Sequence, residues 1–136
     1  MPILQVTLSS SPDSSQARAI AAMLSGLSAR ILRKDEKLTS VAVTFLSADQ
    51  WFVAGESLAE AGLASFWLDI AVVDGTNTKD EKAAFIAATF AAMAQALGPL
   101  HPESYVLVRE VKADAYGYGG RTQESRYVEK TLKAAA

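Results

Sequence analysis

The chain opens on an extended apolar stretch, Pro2-Ile3-Leu4-Gln5-Val6-Thr7-Leu8, which predicts a strand over residues 2–9. Ser11-Pro12-Asp13 follows, supplying an N-cap, a proline in the first helical turn and an acid near the helix N-terminus. Ile20, Met23, Leu24, Leu27 and Ile31 then recur at spacings of three and four, the stripe of a helix with one buried face. Lys34-Asp35-Glu36-Lys37 reads as a solvated turn. Beyond it Val41, Val43 and Phe45 alternate with smaller or polar residues, the period of a strand buried on one side. The second half repeats this order. Trp67 to Val73 predicts a strand closed by Asp74-Gly75. Thr78 and Glu81 have the spacing of a capping box ahead of an apolar run. Phe85, Ile86, Thr89, Phe90, Met93 and Leu97 mark one helical face, Gly98-Pro99 stops the helix, and Tyr105–Val111 is the fourth main strand.

The two halves also match in their ends. Pro2-Ile3-Leu4-Gln5-Val6 lies over Phe66-Trp67-Leu68-Asp69-Ile70. Ala48-Asp49-Gln50-Trp51-Phe52-Val53-Ala54-Gly55 lies over Ala113-Asp114-Ala115-Tyr116-Gly117-Tyr118-Gly119-Gly120, with one residue gained or lost between. A fixed period is an architectural statement. The expectation is one α+β domain over residues 1–136, built of two tandem β-α-β units, roughly 2–62 and 66–128. Right-handed crossovers would give a four-stranded mixed sheet with both helices on one face, the units related by a pseudo-two-fold axis. The sheet's other face still carries apolar residues, so a second subunit is expected to cover it.

Composition narrows the function. The 136 residues carry a net charge of -2, with no Lys/Arg stripe, which disfavours nucleic acid as a partner. There are no cysteines and a single histidine, His101, so a thiol nucleophile, a Cys-ligated metal and Ser-His catalysis within one chain are excluded. Nothing at the N-terminus has the pattern of a signal peptide, and no segment reaches the ~18 apolar residues of a membrane span. The expectation is a soluble cytoplasmic protein.

Pro2 directly follows Met1. Aminopeptidases remove an initiator methionine when a small residue comes next, which would leave a secondary amine at the start of a strand. A free α-amine has a pKa of roughly 8, and burial lowers it further, so this group can act as a general base without histidine or metal. On its own, Pro2 also reads as a residue that merely opens the strand. Tyr116-Gly117-Tyr118-Gly119-Gly120 lacks the spacing and the lysine of a phosphate loop. It reads as a β-turn leading into a short terminal strand, Arg126-Tyr127-Val128, or as a hairpin that lends an aromatic side chain to a neighbouring subunit. His101 fits a surface loop position, and Asp69 has no evident partner in the sequence.

Pro2 with its strand, the Leu38-Thr39-Ser40-Val41 start of the second strand and the Tyr116–Gly120 aromatic-glycine hairpin together resemble the tautomerase superfamily. The resemblance is to the 4-oxalocrotonate tautomerase-like proteins in a fused, two-unit form, and covers roughly residues 2–128. It implies a cofactor-independent, metal-free tautomerase or isomerase in which the Pro2 amine moves a proton on a small enol, keto acid or dicarbonyl. Hydration, dehalogenation or decarboxylation by the same proline, or a non-catalytic binding or structural role, are the alternatives. It further implies a homo-oligomer, most simply a trimer. Phe66 takes the place of Pro2 in the second unit and has no free amine. The family's arginines would fall near Pro12, Ala42, Thr76-Asn77 and Tyr105-Val106, and none of these is arginine. Arg109 is the foremost replacement for binding substrate, with Arg121 and Arg126 behind it, and each reads equally as a surface cation. Tyr116 matches the aromatic that closes the family's pocket, and Trp51 is its copy in the first unit. In dehalogenating relatives an acid stands just before that aromatic, whereas here the place is Ala115, with Asp114 beside it.

Overall fold

The computed structural model describes residues 1–136. Strand β1 (Ile3–Leu8) is followed by helix α1 (Ser14–Leu32) and strand β2 (Ser40–Phe45). A small hairpin, β3 (Phe52–Val53) and β4 (Glu56–Ser57), runs into the one-turn helix α2 (Leu58–Ala61). The second unit repeats this as β5 (Phe66–Val73), α3 (Lys79–Leu97), β6 (Tyr105–Val111), the hairpin β7 (Gly117–Tyr118) and β8 (Arg121–Thr122), and helix α4 (Gln123–Ala135). The main sheet has the order β2-β1-β5-β6. Pairing is parallel within each unit and antiparallel between β1 and β5, where the units meet. This is the α+β fold expected, a mixed four-stranded sheet with α1 and α3 packed together on one face.

The period of two decides which side chains reach the core. Leu4, Val6 and Leu8 of β1 and Phe66, Leu68, Ile70 and Val72 of β5 point toward the helices and are buried. They meet Ile20, Leu24, Leu27 and Leu32 of α1 and Phe85 and Met93 of α3 in one cluster of 13 residues. Truncating a residue such as Phe66 to alanine would cost about 3–5 kcal/mol, through lost transfer energy and the cavity left behind. The alternate positions form the open face. There Ile3, Trp67, Tyr105 and Leu107 remain 44 %, 50 %, 57 % and 50 % exposed.

The repeat extends to individual hydrogen bonds. In the first unit Leu58 N–H donates to the Trp51 carbonyl and in the second Gln123 N–H donates to that of Tyr116. Ser57 caps α2 through Glu60 N–H as Thr122 caps α4 through Ser125 N–H. The hairpin turns are Ala54-Gly55 and Gly119-Gly120, all four residues at positive φ, the backbone of a two-residue turn whose twist matches the flanking strands.

Four local expectations are corrected. The N-cap of α1 is Asp13, whose carboxylate accepts from Ser15 and Gln16 N–H, so Pro12 precedes the helix instead of lying in its first turn. Met23 and Ile31 are only partly buried, and Ser28 and Leu32 complete the inner face of α1. Ile86 and Phe90 of α3 are 41 % and 36 % exposed. Arg126-Tyr127-Val128 is not a strand but the middle of α4, whose Thr122 cap and Arg121–Glu129–Lys133 ion pairs favour the helix.

Candidate functional site

The first residues of β1 lie between β2 and the second hairpin. The Pro2 carbonyl accepts from Ser40 N–H at 3.3 Å, and Ile3 pairs with Ser40 across the parallel ladder. Pro2 is buried, and Met1 is partly so. A cavity of about 300 Å³ opens over them, walled by Leu38, Thr39 and Ser40 on one side and by Tyr116, Gly117, Tyr118 and Gln123 on the other. The Tyr116 hydroxyl donates to the Met1 carbonyl at 3.2 Å, on the peptide bond that contains the Pro2 nitrogen. Burial raises the Tyr116 phenol above its ordinary pKa, so it stays a donor across the neutral range. The Met1 amine is lowered from its usual 8.0, chiefly by burial and next by the Lys34 cation, with Asp35 opposing.

A second, larger cavity of about 710 Å³ adjoins the first and shares Met1, Leu38 and Tyr118 with it. Its wall carries Arg33 and Lys34 from the end of α1 and Arg121, Arg126, Lys130 and Lys133 from the β8–α4 segment. With Lys37 in the first cavity, these are seven of the chain's 13 lysines and arginines, against the two carboxylates Asp35 and Glu129. A protein of net charge -2 thus presents a positive field beside Pro2, which favours and concentrates anions there. Arg33 closes α1 in the left-handed conformation, φ 59, and its side chain pairs with Glu81 at 2.9 Å. Lys34 donates to Thr76 Oγ1 at 2.9 Å, and burial followed by Arg33 lowers its pKa. Arg121 is held by Glu129 at 2.7 Å and by Ser125 at 3.1 Å.

Of the residues expected to bind substrate, Tyr116 and Arg121 border these two cavities. Arg109 lies elsewhere in its own chain. It stands on the open face of β6, paired through two hydrogen bonds to Asp69 of β5, which supplies the partner that the sequence did not reveal for Asp69. Phe66, the counterpart of Pro2, is fully buried, and Trp51, the counterpart of Tyr116, is buried edge-on against Trp67 with ring centres 4.8 Å apart. The first unit's copy of the hairpin aromatic is therefore structural. Asp114 lines a separate cavity on the far side of Tyr116 and Gly117. His101 accepts from Glu103 N–H through Nδ1 in the loop before β6. No three His, Cys, Asp or Glu side chains stand together in a way that could hold a metal ion, and no helix is long and apolar enough to cross a membrane.

Sequence reasoning missed Arg33, Lys34, Lys37, Lys130, Lys133 and Tyr118. Lys34 and Lys37 had the look of a solvated turn, and Lys130 and Lys133 lie beyond the span that the repeat covers, so only the closing of the fold brings them to Pro2.

Residues 67–126 match the tautomerase enzyme family. No curated protein is similar enough in sequence to count as a match. Among solved structures the chain is similar to native fused 4-OT, at 23% identity over 90% of this chain and 97% of that one, with a TM-score of 0.78. It is also similar to a fused 4-OT described as a symmetric trimer, at 21% identity over 91% and 98% of the two chains, TM-score 0.77. N1, a member of the cis-3-chloroacrylic acid dehalogenase family, aligns over 98% of this chain and 96% of its own, at 22% identity and TM-score 0.73.

Proposed function

We propose that the chain, which matches the tautomerase family over residues 67–126 and shares the fold of fused 4-OT, is a cofactor-independent tautomerase whose general base is the amine of Pro2, freed by removal of Met1. The observation that carries this reading is the position of Met1. It lines both the cavity over Pro2 and the cationic cavity beside it, so its loss would join the two and uncover the Pro2 nitrogen between them. That nitrogen lies deeper than the Met1 amine, whose pKa burial and Lys34 already lower. A cation beside the freed Pro2 amine, as Lys34 is beside that of Met1, disfavours its protonation and so favours its use as a base.

The chemistry follows from the groups at hand. The neutral amine takes a proton from a carbon next to a carbonyl, or from the hydroxyl of an enol, and returns it at the other end of the conjugated system. Tyr116, released from the Met1 carbonyl, donates to the oxygen on which enolate charge develops. The cations of the adjoining cavity suit a substrate bearing a carboxylate. Asp114 faces a different cavity, which supports proton transfer over the addition of water. The exposed Ile3, Trp67, Tyr105 and Leu107 suit burial against other copies, and we infer a homotrimer by analogy with the trimeric fused 4-OT.

The test is the intact mass of the untagged protein together with ketonisation of phenylenolpyruvate. The expected outcome is loss of Met1, measurable turnover, and its loss in Pro2→Ala with fold and assembly retained. Full retention of Met1, or a Pro2→Ala variant as active as the parent, would overturn the mechanism.

A further inference from the structure

The cations beside Pro2 are not equally available. Arg33 is paired with Glu81, and both Arg121 and Lys133 share Glu129. Lys34 is tied to Thr76. Arg126 differs. Its guanidinium carbon lies 3.8 Å from the centre of the Tyr118 ring, and Nη2 donates to the Tyr118 carbonyl at 3.0 Å. No carboxylate pairs with it, and its Nε–H is shielded from water without any hydrogen-bond partner. A guanidinium has five donor protons in a rigid fork, so most of this one's capacity is unspent. The site is shaped to hold it there. At Gly119, φ +60, an added Cβ would stand 2.8 Å from Arg126 Nη2, so the turn leaves room for the guanidinium that a side chain would take.

A guanidinium held by a ring and a carbonyl and left without a carboxylate partner is suited to bind an anion. We propose that Arg126 is the specificity-determining residue of this site, binding the carboxylate of a small organic acid whose reactive carbon rests against Pro2. The proposal rests on the reading of the Pro2 cavity as the active site. The Tyr118 ring forms part of both cavities, so the residue that orients Arg126 also touches the space over Pro2. In this arrangement α4 acts as the carrier of the carboxylate receptor. Lys34, from the end of α1 in the same cavity, adds a second positive charge without a carboxylate partner of its own.

The experiment measures binding apart from turnover. Malonate is titrated calorimetrically into the Met1-processed protein and into Arg126→Gln, Arg126→Lys and Pro2→Ala, with malonamide as the uncharged control. In parallel, kcat and KM are measured with phenylenolpyruvate. We expect Arg126→Gln to weaken malonate on the order of 10- to 100-fold and to raise KM similarly, the loss of a charge-assisted contact, with kcat changed less. Arg126→Lys should recover part of both. Malonate affinity in an Arg126→Gln protein equal to the parent's would overturn the assignment, as would malonamide binding as tightly as malonate. Should Arg126→Gln melt early, Arg126→Met is read in its place, and malonate affinity equal to the parent's in that folded variant would overturn the assignment. Failure of the Pro2 mechanism shows separately, as a Pro2→Ala protein as active as the parent, and does not alter the malonate result.

Discussion

Gly117 is the position at which one methyl group should separate activity from stability. In β7 its ideal Cβ would lie 1.9 Å from the Arg121 carbonyl oxygen, 2.6 Å from the Arg121 carbonyl carbon and 2.7 Å from Thr122 Cα. All three are backbone atoms of the facing strand, so no rotamer change relieves the clash. Reaching even a 3.0 Å contact requires β7 and β8 to part by more than about 1 Å at this point. The ladder has only two residue pairs, Gly117 with Thr122 and Tyr118 with Arg121, so there is little left to hold it once it opens. Losing one or two of its hydrogen bonds costs about 1–3 kcal/mol locally. The main sheet is spared, because α4 beyond the hairpin buries only Gln123 and contributes nothing to the 13-residue core. Yet this hairpin carries Tyr116 and Tyr118 and seats Arg126. A displacement of about 1 Å in a positioning group can cost on the order of 100-fold in rate. Gly117→Ala should therefore lose about two orders of magnitude in kcat/KM for phenylenolpyruvate, with a melting temperature only a few degrees below the parent's. Gly120→Ala is the control. Its φ is +77 but nothing lies within 4 Å of the added Cβ, so it carries backbone strain of about 1 kcal/mol and no clash. Parental kcat/KM in a folded Gly117→Ala protein, or equal damage from both substitutions, would refute the account.

Two further outcomes concern pH. If the Pro2 amine is the base, kcat/KM must rise with pH as that amine loses its proton, and because the Lys34 charge opposes protonation nearby, Lys34→Gln should move the rising limb to higher pH; an unmoved limb would show that Lys34 does not act on the base. Glu81 is held at about pH 2 by the Thr78 N–H of the capping box, with Arg33 and Asn77 adding to it, below its ordinary 4.5. Its carboxylate therefore contributes stability fully present above pH 4.5 and lost as the pH falls toward 2. The difference in urea midpoint between the parent and Glu81→Gln should be greatest near pH 7 and close across that window, and a gap independent of pH would refute the ionic contribution.

How much was legible in the sequence followed from the range of the forces involved. β1, α1, β2, β5, α3 and β6 could be read directly, because each buries one face and so leaves a period of two or near 3.6 in the chain itself. The capping box and the Gly98 stop are interactions within a few residues, and they too were visible. Helix α4 was not. It buries a single residue, so no apolar stripe records it, and the β-prone Tyr127-Val128 pair pointed to a strand that the cap and ion pairs overrule. The doubled β-α-β order could be read from the chain alone, and with it a proline just ahead of the first strand and a glycine hairpin after the last main strand. Which charges come together depends instead on the folded chain. Asp69 and Arg109 meet because the parallel register sets Leu107 beside Asp69 and Arg109 beside Ala71, a diagonal pair on the open face. Residues 33–37 meet 118–133 because β2 runs parallel to β1 and starts beside its first residue, while β5 and β6 run antiparallel to β1 and end there. Such a gathering of like charges is a property of the closed fold, where long-range topology sets distance, and nothing in local spacing encodes it.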